Sequence, residues 1–147
     1  MPRIRPLALC VFSHRRRILV AEFTHPTTGA IFYRPLGGGI EFGERAIDTL
    51  HREMREEIDA EIKDLRYLGA LENIFTVDGE LGHEIVLVFD GAFVDESMYD
   101  RPIIHGIDND VFPIRAMWKR PDEFSASTPV YPDGLIDLLR RSNLTGR

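Results

Sequence analysis

The hydrophobic positions near the start of the chain form short apolar runs separated by polar breaks, a pattern that predicts β-strands. Residues 7–12 are an apolar run typical of a largely buried strand. A basic turn at residues 14–17 separates this run from a second one at residues 18–23, so the two predict a hairpin. Residues 31–33 look extended again after a loop that is rich in Pro, Thr and Gly.

Further strands and one closing helix are predicted in the rest of the chain. Two apolar runs flank Asp78-Gly79, a dipeptide that favours a tight hairpin turn. The expected elements are strands at residues 62–75, 83–94 and 111–118, a polar loop at 96–110, a helical turn at 121–124 and a helix at 134–141. This mixture predicts an α/β or α+β fold, with a mixed sheet flanked by helices in one domain over residues 1–147.

One segment changes from glycine-rich sequence to helical periodicity. Pro35 and four glycines rule out regular helix within residues 34–44, whereas residues 45–58 contain neither Gly nor Pro. Since an ideal helix turns about 100° per residue, three glutamates of residues 45–58 fall within about 100° of one another. These are Glu53, Glu56 and Glu57. A neighbouring apolar stripe, expected to bury against the sheet, consists of Ile47, Leu50, Met54 and Ile58.

The acidic face of this helix is locally unfavourable without a cation. Like charges three and four residues apart repel each other, and the helix macrodipole disfavours glutamates near the C-terminal end. A divalent cation would reverse both effects, because Mg²⁺ prefers oxygen ligands. For three glutamates alone, a solvated acidic surface face is the better explanation, so the surrounding residues have to decide.

Composition narrows the possible partners. The chain has 147 residues and a net charge of −6, which argues against broad nucleic-acid binding but not against a small phosphate ligand bridged by a cation. No apolar run approaches the roughly 20 residues that span a bilayer, so we expect no membrane association. The one cysteine, Cys10, cannot form an internal disulfide, which fits a cytoplasmic protein.

The spacing around the glutamates is specific. Five residues separate Gly38 from Glu44, and seven more separate Glu44 from Arg52-Glu53. Met54 and Arg55 follow, and Glu56-Glu57 come directly after them. A chance match of these six letters has odds on the order of one in 10⁵ from average composition. The pattern resembles the box of the Nudix hydrolase family over residues 38–60. Asp59 stands where the family has Gly at the helix end, a left-handed position that Asp tolerates better than most residues.

The resemblance implies an α/β/α sandwich with a mixed sheet, in which the box forms a loop, a helix and a second loop. It implies that Glu53, Glu56 and Glu57 hold Mg²⁺ or Mn²⁺. The main-chain carbonyl of Gly37 or Gly38 is a further candidate ligand. Arg52 would orient the glutamates, and Glu44 would either be a distant ligand or hold the loop in shape.

Other residues are candidates for contacts to the substrate or for the general base. Arg34 is placed to reach a phosphate, although an ordinary surface arginine explains it equally well, and Gly38 and Gly39 are expected to line the substrate site. His83 and Glu84 open a strand, where ordinary packing or solvation is the favoured interpretation for both. The candidate bases inside the box are Glu56 and Glu57, and those outside it are Glu96, Asp100, Asp108 and Asp110.

By resemblance, the function is metal-dependent hydrolysis of a diphosphate linkage by an activated water. The substrate would be a nucleoside triphosphate, a nucleotide sugar, ADP-ribose, a dinucleoside polyphosphate or a capped RNA 5′ end. One alternative is a Nudix module that senses a nucleotide or metabolite without cleaving it, and another is an isomerase acting on an isoprenoid diphosphate. A homodimer is expected from analogy with the family alone.

Overall fold

The computed structural model describes residues 2–108 and 111–144, and its framework is a mixed β-sheet. Its strands are β1 (Ile4–His14), β2 (Arg17–Thr24), β3 (Ile31–Arg34), β4 (Leu36–Gly39), β5 (Ile62–Val77), β6 (Glu80–Phe93), β7 (Ile103–Asp108) and β8 (Phe112–Lys119). The main path through the sheet is β5-β6-β1-β2-β8-β7, with β3 paired to β2 and β4 paired to β1. Because β1 runs parallel to β6 and antiparallel to β2 and β4, the predicted mixed sheet is confirmed.

Two α-helices cover opposite faces of the sheet, α1 (Ala46–Ile58) and α2 (Leu135–Arg141). Successive residues of a strand point to opposite faces, and β1 divides its buried side chains accordingly. Ala8, Cys10 and Phe12 join a core cluster with α1, whereas Leu7, Leu9 and Val11 join a second cluster with α2. None of the helices in the described ranges is long and apolar enough to span a membrane.

Helix α1 buries most of the predicted apolar stripe. Leu50, Met54 and Ile58 lie in the core, but Ile47 is 43% exposed, so its predicted burial is wrong. Ile47 lies in the first turn of the helix, where it lines an open surface cavity together with Phe89 of β6. The helix ends at Asp59, which adopts the left-handed conformation at φ 52° and ψ 45°. The left-handed conformation expected for Asp59 at the end of the helix is therefore confirmed.

The expected polar loop at residues 96–110 is wrong for most of its length. Glu96–Asp100 form a 3₁₀ helix, and Ile103–Asp108 form β7, which pairs antiparallel with β8. β7 is an edge strand of the sheet, and it also contacts α1. Gly106 allows this contact, since a Cβ there would overlap the carbonyl oxygen of Glu57. Asn109 and Asp110 lie outside the described residues.

Candidate active site

Strand β4 brings bare backbone against both β1 and the acidic face of α1. A Cβ on Gly37 would overlap the backbone of Ala8 and Leu9, so only glycine permits this approach of β4 to β1. A Cβ on Gly38 would lie 2.5 Å from the Cδ and Oε1 atoms of Glu53. The Glu53 carboxylate therefore occupies the space that any other residue at position 38 would fill.

Arg52 is the centre of an ionic network that joins α1 to the preceding loop. Its Nε and Nη2 donate to the two carboxylate oxygens of Glu44 at 2.8 and 2.9 Å. Its Nη1 donates to Glu53 Oε1 at 2.9 Å, and its Nη2 also reaches the carbonyl oxygen of Gly39 at 3.2 Å. These carboxylates raise the pKa of Arg52 further above its usual value, chiefly through the hydrogen bonds to Glu44. One guanidinium thus connects loop, strand and helix.

Glu44 is fully engaged by neighbouring donors. Besides the two bonds from Arg52, its Oε1 accepts the Thr49 hydroxyl at 2.6 Å and the Glu41 backbone N–H at 3.3 Å. The hydrogen bonds from Arg52 and then Thr49 lower the pKa of Glu44 to about 2. A carboxylate with so low a pKa is a poor proton acceptor at neutral pH. This geometry favours the loop-holding role for Glu44 over a role as a metal ligand.

Glu53 and Glu57 form a closely spaced pair of carboxyl groups on the buried side of the acidic face. Glu57 is only 8% exposed, and its side chain lies within hydrogen-bonding reach of Glu53. Burial, followed by the hydrogen bond with Glu53 and the nearby charges of Glu53 and Asp108, raises the pKa of Glu57 well above its usual value, while Arg34 opposes this shift. Two carboxylates cannot both remain ionised here without a compensating positive charge.

Glu56 lies at the exposed edge of the same face. Its side chain is 61% exposed, and its Oε2 is 3.4 Å from Arg52 Nη1. Within residues 2–108 and 111–144, no three His, Cys, Asp or Glu side chains are grouped as a metal site. The donor set nevertheless fits Mg²⁺ or Mn²⁺, because Glu53, Glu56 and Glu57 offer carboxylate oxygens, the ligands that these ions prefer, on one face of α1.

The candidates outside the box fall into two groups. Asp108, at the end of β7, is close enough to Glu57 to raise the pKa of that group. Asp100 instead lines a separate cavity with Trp118, and Glu96 is exposed on the 3₁₀ helix. The structure therefore brings Asp108 to the acidic face and leaves Glu96 and Asp100 away from it. The positive charge of Arg34 also acts on Glu57, so Arg34 lies beside the acidic face as well.

Two arginines that the sequence did not single out also reach this region. Arg3 and Arg5 line a cleft of about 520 Å³ together with Gly39, Glu53 and Glu56. The signal that could have identified Arg5 is its position two residues before Leu7, on the strand that pairs with the glycine run.

A match across most of the chain decides the family. The model of the NUDIX domain matches residues 1–135. The chain belongs to the Nudix family. The resemblance inferred from residues 38–60 is thereby confirmed.

Solved Nudix structures share the fold. The MutT NUDIX hydrolase from Burkholderia pseudomallei has a TM-score of 0.63 and 20% identity, covering 92% of this chain and 96% of that one. The NUDIX hydrolase from Nitrosomonas europaea has a TM-score of 0.64 and 19% identity, covering 96% of this chain and 89% of that one. At such identities the likeness shows the fold alone, and it confirms the predicted mixed sheet with flanking helices.

Curated relatives match a shorter stretch. The NAD-capped RNA hydrolase NudC from Pseudomonas syringae pv. syringae is 41% identical over 69 residues, which are 47% of this chain and 24% of that protein. The NAD-capped RNA hydrolase NudC from Chromobacterium violaceum is 32% identical over 88 residues, which are 60% of this chain and 30% of that protein. The match with each of these relatives therefore spans less than a third of the relative's length.

Proposed function

We propose that this Nudix protein is a Mg²⁺- or Mn²⁺-dependent pyrophosphohydrolase that cleaves the diphosphate linkage of a nucleoside diphosphate derivative. The observation that carries the proposal is the close Glu53–Glu57 pair, held against the backbone of Gly38 on the acidic face of α1. Family membership supports the reaction class, since the NudC and MutT relatives are hydrolases.

The proposed ligands are the carboxylates of Glu53, Glu56 and Glu57, with the carbonyl of Gly37 or Gly38 as a further donor. A bound divalent cation supplies charge neutralisation at the phosphates and lowers the pKa of water. Arg52 fixes the Glu53 carboxylate through its 2.9 Å hydrogen bond, and Glu44 fixes Arg52. Pre-positioning of this kind reduces the reorganisation that substrate binding requires.

A carboxylate must accept the proton of the attacking water. Glu44 is the poorest candidate, because Arg52 and Thr49 lower its pKa to about 2. Glu56 and Glu57 remain candidates inside the box, and Asp108 is the candidate that the fold adds from outside it. Asp108 has the advantage that it need not also hold a metal ion.

The phosphates of the substrate would enter the cleft between the start of β1 and the acidic face. Arg3 and Arg5 line that cleft and provide positive charge opposite Glu53 and Glu56. Arg34 provides a third guanidinium, close enough to Glu57 to act on its pKa. Guanidinium groups bind phosphate oxygens in a bidentate manner, so these residues suit an anionic substrate that spans the site.

The substrate can be identified by measuring product release from a panel. The panel contains nucleoside triphosphates, ADP-ribose, nucleotide sugars, dinucleoside polyphosphates and NAD-capped RNA, the last because NudC relatives act on it. We expect at least one member to be cleaved with Mg²⁺ or Mn²⁺ and none after chelation. Metal-independent cleavage, or no cleavage with either metal, would contradict the proposal. Absence of cleavage together with ligand-induced thermal stabilisation would favour the sensing module instead.

A further inference from the structure

A cavity of about 330 Å³ lies at the end of β1 that is remote from the acidic site. It is lined by the turn between β1 and β2, by residues 99–102 and by Trp118 of β8. Arg5 in the catalytic cleft and His14 in this cavity are nine residues apart on the extended strand β1, which corresponds to about 30 Å. The two sites are therefore separate. The volume of this cavity falls within the range of small-molecule sites, about 300–1,000 Å³.

Three aromatic rings form one wall of this cavity. His14 and Arg17 are directly paired across the hairpin, so their side chains share a face of the sheet. Trp118 projects from the same face, because its partner Leu19 is two residues beyond Arg17. Tyr99 completes the wall, with its ring 4.9 Å from that of His14 and 5.5 Å from that of Trp118. Tyr99 and Trp118 are only partly buried, so a flat ring can stack on them.

Arginines give the same cavity a net positive charge. Three guanidinium groups line it, those of Arg15, Arg17 and Arg101, together with the carboxylate of Asp100. None of the carboxylates in the described ranges forms an ion pair with Arg15 or Arg17. Arg101 has an exposed contact with Asp95 at 3.7 Å. In a chain of net charge −6, this local excess of positive charge favours an anionic ligand.

The turn that carries two of these residues has a backbone conformation that does not favour arginine. Arg15 and Arg16 both have positive φ, at 52° and 63°. Two-residue hairpin turns of this kind are dominated by Gly, Asn and Asp, because other side chains are strained there. The turn geometry therefore does not explain the arginines, whereas an anion bound beside the turn does.

The aromatic wall and the positive charge together define the class of ligand. We propose that this cavity is a second, non-catalytic site that binds a free nucleotide, with Trp118 and Tyr99 against the base and Arg15 and Arg17 on the phosphate. Stacking on aromatic rings and pairing with guanidinium groups suit a ligand that carries both a base and a phosphate. Asp100 adds an acceptor for a ribose hydroxyl or a base N–H group.

Other ligand classes fit the cavity less well. A bare phosphate leaves the ring wall unused, and an uncharged nucleoside leaves the arginines without a partner. The net charge of −6 opposes the long phosphate backbone of an RNA chain. The inference does not depend on the proposed hydrolysis, since no residue of the acidic face takes part in it.

The fluorescence of Trp118 provides a direct test, because this residue is the one tryptophan of the chain. Its emission reports on this cavity and not on the catalytic cleft. The protein is titrated in EDTA with AMP, GMP, CMP and UMP, and with the matching nucleosides, inorganic phosphate and a short single-stranded RNA. We expect at least one nucleotide to quench Trp118 in a saturable manner. Its nucleoside and inorganic phosphate should each bind at least about tenfold more weakly, because each makes only part of the contacts.

Four results of this titration would overturn the proposal. The first is that no nucleotide quenches Trp118. The second is that inorganic phosphate binds as tightly as the nucleotide, which would indicate an adventitious ion only. The third is that the nucleoside binds as tightly as the nucleotide, so that the arginines have no role. The fourth is binding of RNA without binding of any free nucleotide, which would indicate a nucleic-acid surface instead.

Three variants of one turn then assign the phosphate contact. Arg15→Gln and Arg17→Gln should each weaken nucleotide binding about tenfold, because a charge-assisted hydrogen bond is lost. Arg16→Gln is the matched control: it removes the same charge from the same turn, but Arg16 does not line the cavity. It should bind as the wild type does, and all three variants should keep the Tm of the wild type. Equal affinity in the three variants, whether weakened or not, would show that the assignment is wrong.

Discussion

Replacing Gly38 with alanine should disable the site through a single methyl group. The added Cβ would lie 2.5 Å from Cδ and Oε1 of Glu53, whereas carbon atoms in contact are about 3.5–4.0 Å apart. The Glu53 carboxylate must therefore move by about 1 Å or more. A displacement of about 1 Å in a catalytic group costs on the order of 100-fold in rate, which corresponds to about 2.7 kcal/mol.

The fold should tolerate this change. Gly38 lies in extended β4 backbone with no left-handed conformation, and alanine costs less backbone entropy than glycine. Gly39→Ala is the matched control, because a Cβ one residue further along meets only Arg5 Nη2, at 4.0 Å. The two variants therefore carry the same added methyl group, and they differ in whether it contacts Glu53.

The assay measures Mg²⁺-dependent kcat/KM for the substrate that the panel identifies, together with Mn²⁺ affinity and thermal melting. We expect Gly38→Ala to lose about 100-fold in kcat/KM and to bind Mn²⁺ more weakly, with its Tm close to that of Gly39→Ala. If Gly38→Ala keeps the kcat/KM and the Mn²⁺ affinity of the wild type, the position of Glu53 is not critical and the reasoning fails.

Three further changes test other parts of the site. Asp59→Gly should keep activity and raise stability by less than about 1 kcal/mol, since the left-handed helix end suits glycine; lost activity would reveal an unassigned role. Glu44→Gln should lower the Tm at neutral pH, and its Tm difference from the wild type should shrink as the pH falls from 4.5 towards about 2. The reason is that a carboxylate with a depressed pKa stops stabilising the fold when it protonates. A Tm difference that is independent of pH would contradict this. Gly106→Ala should destabilise the fold by about 1–3 kcal/mol in urea unfolding, since its Cβ overlaps the backbone of Glu57; unchanged stability would refute that close contact.

Local sequence signals predicted the elements that depend on neighbouring residues. The helical periodicity of residues 45–58 gave α1 to within one residue, and the Asp78-Gly79 turn marked the β5–β6 hairpin. The left-handed conformation at Asp59 followed from the preferences of a helix end. These features arise from backbone geometry and turn chemistry, which a short stretch of sequence specifies.

What the sequence did not indicate depends on contacts between distant segments. β7 was predicted as loop because Gly106 and the acidic residues around it favour a loop locally. Gly106 matters only because the C-terminal end of α1 lies against it. The approach of Asp108 to Glu57 joins residues about 50 positions apart, and no local pattern specifies such a contact. The entry of Arg5 into the cleft likewise depends on the pairing of β1 with β4.

The most direct test of the central claim is cleavage of the identified substrate by Glu56→Gln. This variant keeps the size of the side chain and removes one proposed ligand charge, so turnover should fall at least about 100-fold, or about 2.7 kcal/mol, with an unchanged Tm. Glu61→Gln is the control, because Glu61 is also exposed and its hydrogen bonds go to Arg55, outside the network around Arg52. Turnover of Glu56→Gln equal to that of Glu61→Gln would contradict the assignment of the acidic face as the metal site.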